Sequence, residues 1–151
     1  MSAPRFHDGM RFVPTRTAIN CAGLFVVSTL MKWGVRTVLR SVVVEIEALV
    51  TAAVNATGKP EERMYWTELT RIEYITVQLY YFEKSVRIEV RDSAPNPPLL
   101  SEETDSPVKR GYYPIPRGKV VWVELPLLPQ RPSRPSQPLT EQFSQAPDFL
   151  R

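Results

Sequence analysis

The chain has 151 residues, of which 43% are hydrophobic and 23% charged. These values predict a single globular domain and exclude a wholly disordered chain. A net charge of +3, without a clustered basic face, is not the usual footprint of a nucleic-acid-binding protein. One cysteine and one histidine exclude an internal disulfide and a zinc site of the ordinary type, and they do not suggest a Cys-His catalytic pair.

Two features favour a cytoplasmic protein with no membrane partner. The longest apolar stretch, Ala22 to Met31, is far shorter than the roughly 20 residues that a membrane span requires. The first residues, Met-Ser-Ala-Pro-Arg, contain no apolar run of the kind found in signal peptides.

Two amphipathic helices are predicted first, because apolar side chains recur at spacings of three and four. The first helix follows an N-terminal arm, residues 1–14, in which Met10–Val13 is a short edge strand. Gly34 ends this helix, and Gly58 breaks the chain after the second one. The expected helices run from Thr15 or Thr17 to Trp33 and from Val42 to Ala56.

Three strands are predicted next, because apolar and polar residues alternate along them. The first two form a hairpin, and the third follows a long proline-containing loop. The strands are expected at residues 74–81, 86–91 and 119–125, with a polar loop at 59–71. The predicted fold class is α+β: a two-layer sandwich, over residues 15–128, with helices packed on one face of a mostly antiparallel sheet.

The composition changes after residue 128. Twelve of the 15 prolines lie between Pro95 and Pro147, and the last 23 residues are rich in proline, serine, glutamine and arginine. Such a composition cannot build a packed core, so residues 129–151 are expected to form a disordered tail.

Four segments match a known pattern in order and spacing. They are the helix segment Leu49–Gly58, the hairpin Tyr74–Asp92, the segment Pro95–Pro98 and the last strand Gly118–Pro126. Together they resemble the histidine-kinase-like (GHKL, Bergerat-fold) ATPases, and among these the small bacterial anti-sigma-factor serine kinases. The resemblance covers about residues 10–128 and implies a Bergerat-like fold with a truncated lid.

The catalytic positions of that family are occupied by alanines here. The family glutamate that activates water or a substrate hydroxyl corresponds to Ala48, and the asparagine that ligates magnesium corresponds to Ala52. Glu47 cannot replace the glutamate directly, because one residue is about 100° of rotation around a helix. The resemblance therefore implies a chain without catalytic residues and without a metal site.

Some of the nucleotide-binding positions of that family carry matching residues here, and others do not. Asp92 corresponds to the carboxylate that accepts a hydrogen bond from adenine, but Ala94 and Asn96 stand where two glycines are expected. The second glycine-rich segment, which supplies backbone N–H groups to the phosphates, is missing from the pattern. The candidate nucleotide-binding residues are Asp92, Asn55, Lys109, Arg110 and Gly111.

Two functions remain open. The first is a catalytically inactive, anti-sigma-factor-like regulator that acts by protein contact and requires no cofactor, with a sigma factor or an anti-anti-sigma-like regulator as its partner. The alternative is an ATP-binding regulator or serine kinase of the same family, with weak, magnesium-independent nucleotide binding through Asp92. Most aromatic residues are expected to pack the sheet, although an exposed set of them would mark a partner surface.

Overall fold

The computed structural model describes residues 2–57, 73–100 and 106–127. In these ranges, two helices lie on one face of a five-stranded antiparallel sheet with the strand order β1-β2-β3-β5-β4. The α+β two-layer class predicted from the sequence is confirmed. The helices are α1 (Arg16–Lys32) and α2 (Leu39–Thr57), and the strands are β1 (Phe6–Phe12), β2 (Ile75–Tyr81), β3 (Ser85–Asp92), β4 (Lys109–Ile115) and β5 (Gly118–Pro126).

The helices bury the faces that the apolar spacing predicts. Buried residues recur every three or four positions on both helices, so each presents one continuous apolar stripe to the sheet. Gly34 follows α1 with a φ of 77°, a left-handed conformation that glycine adopts without steric cost. The buried residues of α1 are Ala18, Ala22, Phe25, Val26, Thr29 and Leu30, and those of α2 are Val42, Ile46, Val50, Ala53 and Val54.

The three central strands alternate between a helix-covered face and an open one. Leu79, Ile88 and Val123 are fully buried beneath the helices and lie opposite one another in the register of β2, β3 and β5. Their neighbours along each strand point to the other face of the sheet, which no described helix covers. The strand pairing therefore separates one core face from one open face.

The expected N-terminal arm contains more strand than predicted. β1 begins at Phe6, not at Met10, and pairs with β2 over seven residues. Apolar alternation did not reveal its first half because the strand is an exposed edge, stabilised by backbone pairing more than by burial. The Phe6 ring also stacks on Trp33 at 5.6 Å, which connects the start of β1 to the end of α1.

The long loop predicted before the last strand contains β4, and this part of the prediction is wrong. β4 pairs with β5 through a tight turn in which Arg117 has a φ of 64°. Gly111 and Pro114 hid this strand, because both residues are depleted in strands. β4 tolerates the proline because it is the other edge of the sheet, where a missing N–H does not break an inner ladder.

Two predicted segments, the polar loop at 59–71 and the tail at 129–151, lie outside the described residues. Neither of the two helices described is both long enough and apolar enough to cross a membrane.

Candidate functional site

A cleft of about 450 Å³ lies between α2 and the ends of β3, β4 and β5. We call it the α2 cleft. Its outer lip is the segment that follows β3, in which Leu99 is fully exposed. The lining residues are Glu45, Ala48, Leu49, Ala52, Ala53, Ala56, Val90, Asp92, Asn96, Pro97, Pro98, Leu99, Leu100, Arg110, Lys119 and Val121.

The middle of the cleft is apolar. Ala48, Ala52 and Ala56 follow one another at intervals of four residues, so they lie on one side of α2 and line the cleft with methyl groups. Val90 and Val121 line it from the sheet. The two helix positions that the resemblance associates with a base and a magnesium ligand therefore both line this cleft, and neither carries a polar atom on its side chain.

Asp92 at one end of the cleft is paired with a lysine that the sequence analysis did not identify. The Lys119 Nζ lies 3.0 Å from the Asp92 Oδ1, and the two side chains are only 6% and 3% exposed. The Asp92 Oδ1 also accepts a hydrogen bond from the backbone N–H of Ala94 at 2.9 Å, and the Lys119 ammonium donates to the Ala94 carbonyl at 2.9 Å. The Oδ1 atom of this carboxylate is thus held by two groups of the chain itself.

The strand register explains this pair. Asp92 ends β3 and Lys119 lies near the start of β5, directly opposite it in the antiparallel ladder. Gly118 makes the approach possible, since a Cβ there would lie 1.9 Å from the carbonyl oxygen of Asp92. A lysine at the start of a mostly apolar strand was a visible signal, but its partner depended on a register that the sequence alone did not specify.

A second ion pair lies elsewhere in the lining. The guanidinium of Arg110, on β4, binds both carboxylate oxygens of Glu45, on α2, with its Nη2 2.6 Å from the Oε1. The side chains are 26% and 13% exposed. This forked geometry is the strong form of an arginine–carboxylate contact. Glu45 precedes Ala48 by three residues, so its place on the same side of α2 could have been predicted.

The remaining candidate residues do not gather in the cleft. Asn55 is exposed and does not line the cleft. It lines a shallow depression next to it on α2, which shares Ala48 and Ala52 with the cleft. Lys109 and Gly111 alternate with Arg110 along β4, so they point to the other face of the sheet. The structure thus places Asp92 and Arg110 in the cleft and separates Asn55, Lys109 and Gly111 from it. Lys109 and Gly111 were predicted as nucleotide contacts on the assumption that residues 109–111 form a loop.

The open face of the sheet carries stacked aromatic and charged side chains. His7 stacks on Tyr80 at 4.5 Å, and the Arg87 guanidinium lies 4.2 Å from the ring centre of Trp122. The Arg87 Nε also lies 2.9 Å from the Glu89 carboxylate. We call this set, His7, Tyr80, Arg87, Glu89, Tyr113 and Trp122, the open sheet face.

The Trp122 ring lies over Gly111, where a Cβ would come within 2.6 Å of the indole. Tyr80, on the neighbouring part of the same face, is electrostatically affected by its surroundings. Burial raises the pKa of the Tyr80 hydroxyl, and Glu89 and Tyr113 raise it further, while Arg87 opposes them. On the open sheet face, His7 thus contacts Tyr80 and Arg87 contacts Trp122 across neighbouring strands.

Among residues 2–57, 73–100 and 106–127 there is no group of three or more histidine, cysteine, aspartate or glutamate side chains that could hold a metal ion. The cleft instead combines an apolar middle with two ion pairs.

The chain was also compared with known proteins. No protein-family model matches it, and no curated protein matches it.

Proposed function

We propose that this chain is a non-catalytic regulator of GHKL-like architecture that acts by binding another protein through the open sheet face. The observation that carries the proposal is the pairing of charged groups in the α2 cleft. The groups that could serve a nucleotide there, Asp92 and Arg110, are each held by an opposite charge of the chain itself.

The energies favour the internal pairs over a nucleotide. A hydrogen bond from an adenine amino group to a carboxylate is worth about 1.5–3 kcal/mol. Loss of one partner from a buried ion pair costs about 3–5 kcal/mol. A nucleotide that displaced Lys119 from Asp92 would therefore lose more than its adenine contact gains.

Catalysis has even less support at this cleft. Transfer of a phosphoryl group depends on positioning and on stabilising the charge of the phosphates. Ala48 and Ala52 offer neither a base nor a ligand, and the Arg110 guanidinium is already engaged with Glu45. We therefore infer that binding to another macromolecule, and not turnover, is the function of the fold.

The composition of the open sheet face supports the proposal that the chain binds another protein. Flat sheet surfaces with half-exposed aromatic side chains and arginine have the composition of protein interfaces. Tyr113 is 40% exposed at the edge of this face and can enter a contact without unfolding the sheet. The partner class that the family resemblance suggests is a sigma factor or an anti-anti-sigma-like regulator.

A matched pair of adjacent tyrosines tests the contact. Tyr112 and Tyr113 are 41% and 40% exposed, but they point to opposite faces of β4. A partner captured from native cells and then purified should lose most of its affinity for Tyr113→Arg and keep it for Tyr112→Arg. Equal binding by both variants would place the contact elsewhere.

The alternative function, nucleotide binding through Asp92, is favoured by one observation, namely that Asp92 lines the cleft at the end of β3. Calorimetric titration of the full chain with ATP, with and without magnesium, distinguishes this function from the protein-binding one. We expect no saturation below roughly 1 mM. A micromolar constant, with or without magnesium, would reject the proposal that the cleft is not a nucleotide site.

A further inference from the structure

Among the residues that the structure describes, the charged side chains that line the α2 cleft cancel one another. They are Glu45 and Asp92, which are negative, and Arg110 and Lys119, which are positive, so their sum is zero. Each cation contacts one of the carboxylates. A ligand with a net charge would therefore meet no unmatched opposite charge among them.

Apart from Asn96, the rest of the lining is apolar. Methyl groups of Ala48, Ala52 and Ala56 form the helix side, and each of these residues is exposed, so solvent and solutes can reach them. Valine side chains form the sheet side, and prolines and leucines form the lip. A volume of about 450 Å³ lies within the range of small-molecule sites, which are mostly apolar and have few polar groups.

From these features we propose that the α2 cleft is a binding site for a neutral, mostly apolar small molecule. The chemical class is an uncharged aromatic or aliphatic compound, in contrast to the anionic nucleotide that the family resemblance would suggest. The inference rests on the part of the proposed function that denies the cleft to nucleotides. It does not depend on what binds the open sheet face.

In this proposal, contact with the apolar walls supplies the binding free energy. The ion pairs favour an uncharged ligand group where the ligand meets the polar parts of the lining. The Asp92–Lys119 pair is nearly without solvent exposure and already has its hydrogen bonds to Ala94. An anion or a cation at this end would give up its hydration and meet a carboxylate and an ammonium that already neutralise each other. Both are disfavoured relative to an uncharged group.

The test uses the full chain and the neutral fluorescent probe N-phenyl-1-naphthylamine. We expect saturable binding with a dissociation constant in the micromolar range. Two blocking variants, Ala52→Leu and Ala56→Leu, should each weaken binding at least tenfold, because the larger side chain occupies the cleft. Leucine is a strong helix former, so both variants should keep the helical circular dichroism of the parent.

Glu47→Leu is the matched control. It makes a leucine at an exposed position of the same helix that does not line the cleft, roughly 180° around the helix from Ala56, and it should bind the probe within twofold of the parent. An absence of saturable binding, or equal binding by the blocking variants and the control, would overturn the proposal.

Displacement of the probe by competing compounds tests whether the cleft prefers a neutral or a charged ligand. Octanol should displace the probe at a lower concentration than octanoate, and ATP should not displace it at millimolar concentration. Stronger displacement by octanoate would overturn the neutral class and show that the cations of the cleft recognise an acid. ATP displacement at micromolar concentration would instead reject the underlying proposed function, so the two failures can be told apart.

Discussion

The buried Asp92–Lys119 pair gives the most direct prediction about stability. In Lys119→Met, a side chain of similar length keeps most of the packing but removes the ammonium. The Asp92 carboxylate, 3% exposed, would then retain the Ala94 N–H but lose its charged partner at 3.0 Å. The Ala94 carbonyl would lose its donor as well.

The size of the expected stability loss follows from the burial of the Asp92–Lys119 pair. Removing one partner from a buried ion pair costs about 3–5 kcal/mol, because the other charge stays in a poorly solvated place. With a urea slope of about 1.5 kcal/mol per M, the unfolding midpoint should fall by roughly 2–3 M. The companion change Asp92→Asn should cost a similar amount, since it leaves the ammonium of Lys119 without a carboxylate.

The double variant separates this mechanism from simple loss of contacts. In Asp92→Asn with Lys119→Met no charge remains, and the new amide oxygen can still accept from the Ala94 N–H. We expect the double variant to lose at most about 2 kcal/mol, less than either single change. The measurement is urea unfolding of all four proteins, followed by circular dichroism and by tryptophan fluorescence.

Additive losses would refute this reasoning, because they would show that the two residues act independently. A single-variant loss below about 0.5 kcal/mol would also refute it, because that is the value expected of a solvated surface pair.

Three further predictions concern the cleft and the sheet. The double change Ala48→Glu with Ala52→Asn should fold with reduced stability and show no ATP hydrolysis in a radiolabelled-phosphate assay, since it supplies an acidic and an amide side chain but no site for the phosphates; measurable turnover would contradict it. Gly118→Ala should lower the thermal midpoint by many degrees, because its Cβ would lie 1.9 Å from the Asp92 carbonyl oxygen, and an unchanged midpoint would show that the backbone adjusts freely. In an alkaline NMR titration the pKa of the Tyr80 hydroxyl should lie above the ordinary value of 10.0. The folded state holds that proton longer than the unfolded chain, so the free energy of unfolding should fall as the pH rises through and beyond this value, and less steeply in Tyr80→Phe.

The helices and central strands could be predicted because their faces differ in polarity. On α1 and α2 the apolar residues recur with the helical period, and on β2, β3 and β5 they alternate. Burial against a common core enforces these patterns, so they are visible in a single sequence. The two edge strands have one side toward solvent and less apolar area, and for that reason β1 was predicted too short and β4 was missed.

The placement of the candidate residues could be predicted from the sequence where it depended on one element at a time. The side of α2 that carries Ala48 and Ala52 follows from helical spacing, and the place of Asp92 follows from the end of β3. Residues 109–111 were assigned together because they were treated as a loop. A strand sends alternate side chains to opposite faces, so only Arg110 reaches the cleft.

What the sequence could not supply is the pairing of charges. Lys119 is separated from Asp92 by 27 positions and Arg110 from Glu45 by 65, and both contacts depend on how β4 and β5 lie in the sheet. These contacts decide the chemistry of the cleft more than the two alanines do. A phosphate site needs donors that are not already neutralised, and a base needs a substrate held in line. Even with an acidic and an amide side chain at positions 48 and 52, the cations of this cleft would remain bound to its own carboxylates, so recovery of nucleotide chemistry requires changes on the sheet as well as on the helix.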